Sequence, residues 1–113
     1  MNVSIDWGGC YLEHREFFDA MAISMQRAGH RVGIITGERE HKKPQIEGSL
    51  GFKPDFLELW PELADITNGM KWKVDKFNQH AISLHFDDDA TDLKKYTSMW
   101  IVKVMNSSKV NKF

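Results

Sequence analysis

Two apolar runs with a helical interval between them decide the fold: Asn2-Val3-Ser4-Ile5-Asp6-Trp7-Gly8-Gly9 and, further on, Arg31-Val32-Gly33-Ile34-Ile35-Thr36-Gly37. The first reads as a short strand from Asn2 to Asp6, with Trp7-Gly8-Gly9 as a tight turn after it. The second is the pattern of a buried strand, rich in β-branched residues and closed by Gly37. Over residues 12–29 the period changes: Phe18, Met21, Ala22, Met25 and Ala28 recur at helical spacing. Glu13, Arg15, Glu16, Asp19 and Arg27 fall largely off that face, and Gly29 is a stop signal. Strand, helix and strand in this order predict a right-handed crossover between parallel strands.

Outward from this unit, residues 38–53 are polar and basic around Pro44 and read as a loop with a short helix. Residues 55–60 (Asp-Phe-Leu-Glu-Leu-Trp) form a third strand candidate that ends before Pro61, and residues 65–69 look irregular. A helix is predicted over residues 72–80, with Val74 and Phe77 turned inward. Ala81-Ile82-Ser83-Leu84-His85-Phe86 reads as a strand running into Asp87-Asp88-Asp89. A helical turn at 91–96 and a last strand within 98–104 complete the pattern, and the tail 106–113 is polar. The expectation is a single α/β domain over residues 1–105. It should be a three-layer, Rossmann-like sandwich around a mainly parallel sheet of about five strands.

Composition narrows the function classes. The chain has 113 residues, 42% hydrophobic and 27% charged, enough apolar content for one buried core and too much for a disordered chain. Fifteen Lys and Arg against sixteen Asp and Glu leave a net charge of -1, which disfavours a nucleic-acid or membrane-surface partner held by electrostatics. The single cysteine, Cys10, excludes an internal disulfide framework. No apolar run approaches the roughly 20 residues of a membrane helix, and the first residues lack a secretory pattern. A cytoplasmic location is the expectation.

In parallel sheets ligands gather at the carboxyl ends of the strands. There the sequence places Asp6, Thr36 and Asp87-Asp88-Asp89. A carboxylate at a strand end can attack phosphorus or hold a divalent cation, and clustered carboxylates need a cation or a basic neighbour. Magnesium suits one or two carboxylates plus phosphate oxygens, and a threonine hydroxyl or a lysine suits the phosphoryl group.

These runs resemble the motifs of the haloacid dehalogenase-like (HAD) superfamily, whose members are mostly phosphatases. Val3-Ser4-Ile5-Asp6 is similar to its first motif, a strand ending in a nucleophilic Asp. Ile34-Ile35-Thr36-Gly37 is similar to the second, and Leu84-His85-Phe86-Asp87-Asp88 to the fourth. The third motif is a lysine on the helix before the fourth strand; Lys73 fits best, with Lys71 and Lys76 as further candidates. The four stand in the family's order across residues 2–104.

The resemblance implies a small capless phosphohydrolase working through an aspartyl phosphate. In it Asp6 would attack the phosphoryl group, while Thr36 and the lysine orient and neutralise it. It implies Mg2+ held by Asp6, Asp87, Asp88 and the carbonyl of Gly8, with Asp92 as an outer partner. Trp7, Gly37 and Arg39 would face the substrate, a phosphorylated small molecule or macromolecule; a homo-oligomer remains open. One departure stands out. The family's phosphatases carry a second Asp two positions after the nucleophile as general acid, and here that position is Gly8. Its loss forfeits a contribution of about 10²–10⁴-fold.

Plainer readings exist for each piece. Asp6-Trp7-Gly8-Gly9 can be an ordinary turn, Thr36 a strand-end hydroxyl, and one of Asp87-Asp88-Asp89 a helix cap. Lys73 can belong to a solvated face, Arg39-Glu40-His41-Lys42-Lys43 to a solvated loop, and Trp60, Trp72 and Trp100 to packing. The five histidines show no metal-ligand spacing and read as scattered surface or packing residues. The competing function is a binding or regulatory module that keeps the metal and phosphate site without turnover. A receiver-type domain has its acid pair early in the chain, and a nuclease would need a basic groove; both fit less well.

Overall fold

The computed structural model describes residues 1–63 and 68–105. The tail from Asn106, and residues 65–67 of the stretch expected to be irregular, lie outside the described residues. The opening crossover is formed by β1 (Asn2–Ile5), α1 (Arg15–Arg27) and β2 (Arg31–Arg39). β1 and β2 pair in parallel with Ile5 opposite Ile34. The expected helix over 12–29 is shorter, because a separate 3-10 turn at Tyr11–Glu13 precedes α1. Phe18 and Ala22 are buried as the spacing predicts, with Met21 and Met25 packed against them. After α1 the Gly29 N–H reaches the Gln26 carbonyl and the His30 N–H the Met25 carbonyl, both at 3.0 Å. That paired closure requires a left-handed residue, and Gly29 has φ 91°.

The chain continues through a 3-10 turn (Glu40–Lys42), α2 (Lys43–Ser49), β3 (Leu57–Trp60), α3 (Gly69–Gln79), β4 (Leu84–Asp87), α4 (Ala90–Leu93) and β5 (Trp100–Lys103). The five strands make one sheet in the order β3-β2-β1-β4-β5, and every neighbouring pair is parallel. Three local expectations are corrected. Gly37 does not close β2, which runs on to Arg39 through a register shift against β3 between Ile35 and Arg39. α3 starts three residues before Trp72, because the Asn68 side chain caps it by accepting the Lys71 N–H at 3.1 Å. Trp100 is not packed: β5 is an edge strand whose pleat turns Ile101 inward and leaves Trp100 79% exposed.

Two apolar clusters hold the sheet. Val3, Ile5, Val32 and Ile34 pack with Phe18 and Ala22 of α1 and Ile46 of α2. Ile35 and Ile101 pack with Val74 and Phe77 of α3 and with Ala90 and Leu93 of α4. Ile34 and Ile35, adjacent in β2, belong to different clusters, as the two-residue period of a strand requires. Among the described residues no helix is long and apolar enough to cross a membrane.

Candidate active site

From β1 the chain builds outward to β2 and β3, then crosses back to add β4 and β5 on the other side. The strand order therefore reverses between β1 and β4, and the crevice such a reversal opens lies at the carboxyl ends. Ser4 sits opposite His85 in the ladder, and the Asp6 N–H continues it by bonding the Phe86 carbonyl at 2.9 Å. The two-residue period then aligns Ser4 with Asp6 and His85 with Asp87. α3 turns Lys73, Val74 and Phe77 inward, the apolar pair into the core and Lys73 to the strand ends.

Lys73 Nζ lies 2.8 Å from Asp87 Oδ2 and 3.3 Å from Asp6 Oδ1, and all three side chains are buried. Asp87 Oδ2 also meets His85 Nε2 at 2.8 Å, and Asp87 Oδ1 accepts the Asp89 N–H at 2.9 Å. His85 Nδ1 is 2.6 Å from Ser4 Oγ. Burial depresses the His85 pKa, which favours a neutral ring. An ionised Asp87 can only accept, so the one ring proton sits on Nε2 and the Ser4 hydroxyl donates to Nδ1. The Thr36 hydroxyl beside Asp6 pulls the carboxyl pKa down, and Thr36 Oγ1 receives the Glu38 N–H at 3.4 Å.

The charges in this cluster are unequal. Burial, aided by the Asp87 charge, pushes Asp6 up to about 7 against the pull of Lys73 and Thr36. Burial acts the same way on Asp87, yet His85 and Lys73 together hold its carboxyl well below the usual range. For Lys73 burial disfavours the charge, and the two carboxylates outweigh it and raise its pKa.

Carboxylate oxygens of Asp6, Asp87 and Asp88 all lie within 4.8 Å of one another. The three groups offer only hard carboxylate oxygens. The donor set fits a divalent cation such as magnesium better than a soft metal. Beside it opens a cleft of about 470 Å³ lined by Asp6, Gly8, Thr36, Gly37, Glu38 and Lys73, together with Trp60, Asp89 and residues 68–70. The Trp60 Nε1 is buried without a hydrogen-bond partner among the described residues.

Asp6, Gly8, Thr36, Gly37, Lys73, Asp87 and Asp88 thus gather at one crevice. Of the three candidate lysines, Lys71 is exposed and Lys76 pairs with Glu58 at 3.4 Å, so only Lys73 reaches the carboxylates. Trp7 and Arg39 do not face the cleft. The turn folds the Trp7 ring into the core, where its indole donates to Ser49 Oγ at 2.9 Å. The Arg39 guanidinium covers the Trp60 ring at 5.2 Å and donates to the Pro61 carbonyl. Asp92 pairs with Lys95 at the surface, away from the carboxylates. Cys10 is buried, and burial together with the nearby carboxylates raises its thiol pKa, which leaves it inert as a nucleophile.

Two residues escaped the sequence reading. His85 is fully buried and is part of the cluster, not a scattered ring. Its signal was its place two residues before Asp87 on a strand. Glu38 lines the cleft although it lies beyond Gly37, where the sequence suggested a loop. Comparison with protein-family models, with curated proteins and with solved structures finds no match to this chain.

Proposed function

We propose that the chain is a capless, HAD-like, three-layer domain that hydrolyses phosphate esters with magnesium through an aspartyl phosphate on Asp6. The observation that carries this reading is one buried ammonium shared between Asp6 and Asp87 at the floor of an open cleft. A cluster that served packing alone would be closed. Here the carboxylate with the raised pKa is a wall of the cleft and has a hydroxyl donor beside it.

Asp6 would attack phosphorus in line with the departing oxygen. Lys73 neutralises both the attacking carboxylate and the phosphoryl oxygens, and Thr36 fixes the Asp6 oxygen by hydrogen bonding. Asp87 holds Lys73, and His85 with Ser4 holds Asp87, so each carboxylate keeps one orientation. Magnesium, held by Asp6, Asp87, Asp88 and the Gly8 carbonyl, would keep the carboxylates ionised and offset phosphoryl charge. The substrate is a phosphorylated small molecule or macromolecule, and the open cleft admits either.

The competing reading, a module that binds phosphate and metal without turnover, draws on Gly8, which has no side chain to protonate a leaving group. One experiment separates the two: magnesium-dependent phosphate release from a panel of phosphomonoesters, beside Asp6→Asn. Release that requires both magnesium and Asp6 is the expected result. No release above the variant on any ester, with magnesium and phosphate still bound, would assign the binding role.

A further inference from the structure

The gap left by Gly8 is occupied. A Cβ built on Gly8 would stand 3.6 Å from Glu38 Oε1, an ordinary contact distance, with nothing else within 4 Å. The side chain of residue 8 would thus be directed at the carboxylate of a residue thirty positions away. Glu38 lines the same cleft as Asp6, Thr36 and Lys73, and its backbone N–H is tied to Thr36 Oγ1. Its other oxygen, Oε2, is 2.9 Å from Lys42 Nζ, which anchors the carboxylate on its outer side.

We infer that Glu38 is the proton carrier of this site, supplying from β2 the carboxyl group that position 8 lacks. The inference rests on the phosphohydrolase reading and deepens it. In the first half-reaction an Asp6 oxygen bonds to phosphorus and the bond from phosphorus to the ester oxygen breaks. The electron pair leaves with that oxygen, which takes the proton of the Glu38 carboxyl. In the second, water bonds to phosphorus and gives a proton to Glu38, and the bond from phosphorus to Asp6 breaks with its pair returning to the carboxylate. The cycle restores both side chains and consumes one water per ester.

A proton carrier matters most when the leaving group is a strong base. The test is therefore kcat/KM over substituted phenyl phosphates, from 4-nitrophenyl to unsubstituted phenyl, with magnesium. Four proteins are compared: the unaltered chain, Asp6→Asn, Glu38→Gln, and Glu38→Gln combined with Gly8→Asp. Glu38→Gln is expected to lower kcat/KM on phenyl phosphate by about 10²-fold and on 4-nitrophenyl phosphate by less than about tenfold. Gly8 does not have a left-handed backbone and tolerates a Cβ, so Gly8→Asp in the Glu38→Gln background is expected to recover much of the loss on phenyl phosphate.

Asp6-dependent release with the same leaving-group dependence before and after Glu38→Gln would overturn the inference and leave the phosphohydrolase reading standing. A Glu38→Gln loss that is equal across the series and unrelieved by Gly8→Asp would do the same, marking Glu38 as a scaffold residue. If the unaltered chain shows no Asp6-dependent release at all, both readings fall together.

Discussion

Two sets of ion pairs lie close together at the carboxyl ends of the strands, and they differ in burial more than in distance. Lys73 meets Asp87 at 2.8 Å with both side chains inside the protein, whereas Lys42 meets Glu38 at 2.9 Å and His41 meets Glu62 at 2.9 Å at the surface. Water screens the second set and lets either partner survive alone, so such pairs contribute about 0–1 kcal/mol. In the first set neither partner can be solvated, and removing one strands the others. The lesson is that distance alone does not identify the functional charges. The buried cluster is the one whose members cannot do without each other, and Glu38 brings one carboxylate of the screened set to the cleft beside it.

The sharpest way to break the contrast is Lys73→Met. It leaves Asp6 and Asp87 buried side by side without their cation, and a loss of about 3–5 kcal/mol in urea unfolding is expected. A loss below about 1 kcal/mol would mean that the cluster is hydrated like the surface pairs.

A smaller effect of opposite sign is expected for Asp6→Asn without divalent cation. The folded state raises the Asp6 pKa from 3.8 to about 7, so the fold binds this proton more tightly than the unfolded chain does. Stability from this group is therefore fully present below about pH 4 and is lost as pH rises through 7. At pH 8 the Asn variant should be more stable than the unaltered chain by a few kcal/mol, and the gap should shrink to near zero at pH 4. Thermal melts at the two pH values, with and without magnesium, measure it. Magnesium should narrow the gap by stabilising only the chain that keeps Asp6.

At the far end of the scale stands Lys43→Met. The Lys43–Glu47 pair is 4.0 Å apart and exposed, and its loss should change stability by less than about 0.5 kcal/mol. A larger change would collapse the distinction between the two sets.

The same contrast explains what the sequence could and could not disclose. Buried strands advertise themselves by apolar runs, so β1, β2 and β4 and the acids at their ends, Asp6 and Asp87, were readable. The choice among Lys71, Lys73 and Lys76 needed the rotation of α3, which follows from Lys73 sharing a face with Val74 and Phe77. Trp7 was misjudged because the direction of a turn is not written in its composition. Its indole is claimed by Ser49, 42 positions away. Glu38 had no local signal at all: its relevance comes from β2 running past Gly37 and from an empty position on a different strand end. Trp100 lacked only the knowledge that β5 would be an edge.

The pairing of Ser4 with His85 has a consequence in time. These partners are 81 positions apart, and β1 is central, flanked by strands that follow it at residue 31 and at residue 84. Closing so long a loop costs entropy before any contact rewards it, which makes such topologies slow to fold. On a ribosome β1 and β2 can pair while β4 is still unmade, with one edge of β1 exposed in the interval. Asp6 then waits as a solvated, ordinary aspartate and gains its raised pKa only when the later elements bury it beside Asp87, against the pull of Lys73. The cluster is born late and all at once, so a chain interrupted before residue 87 would carry Asp6 without the buried partners that set its charge.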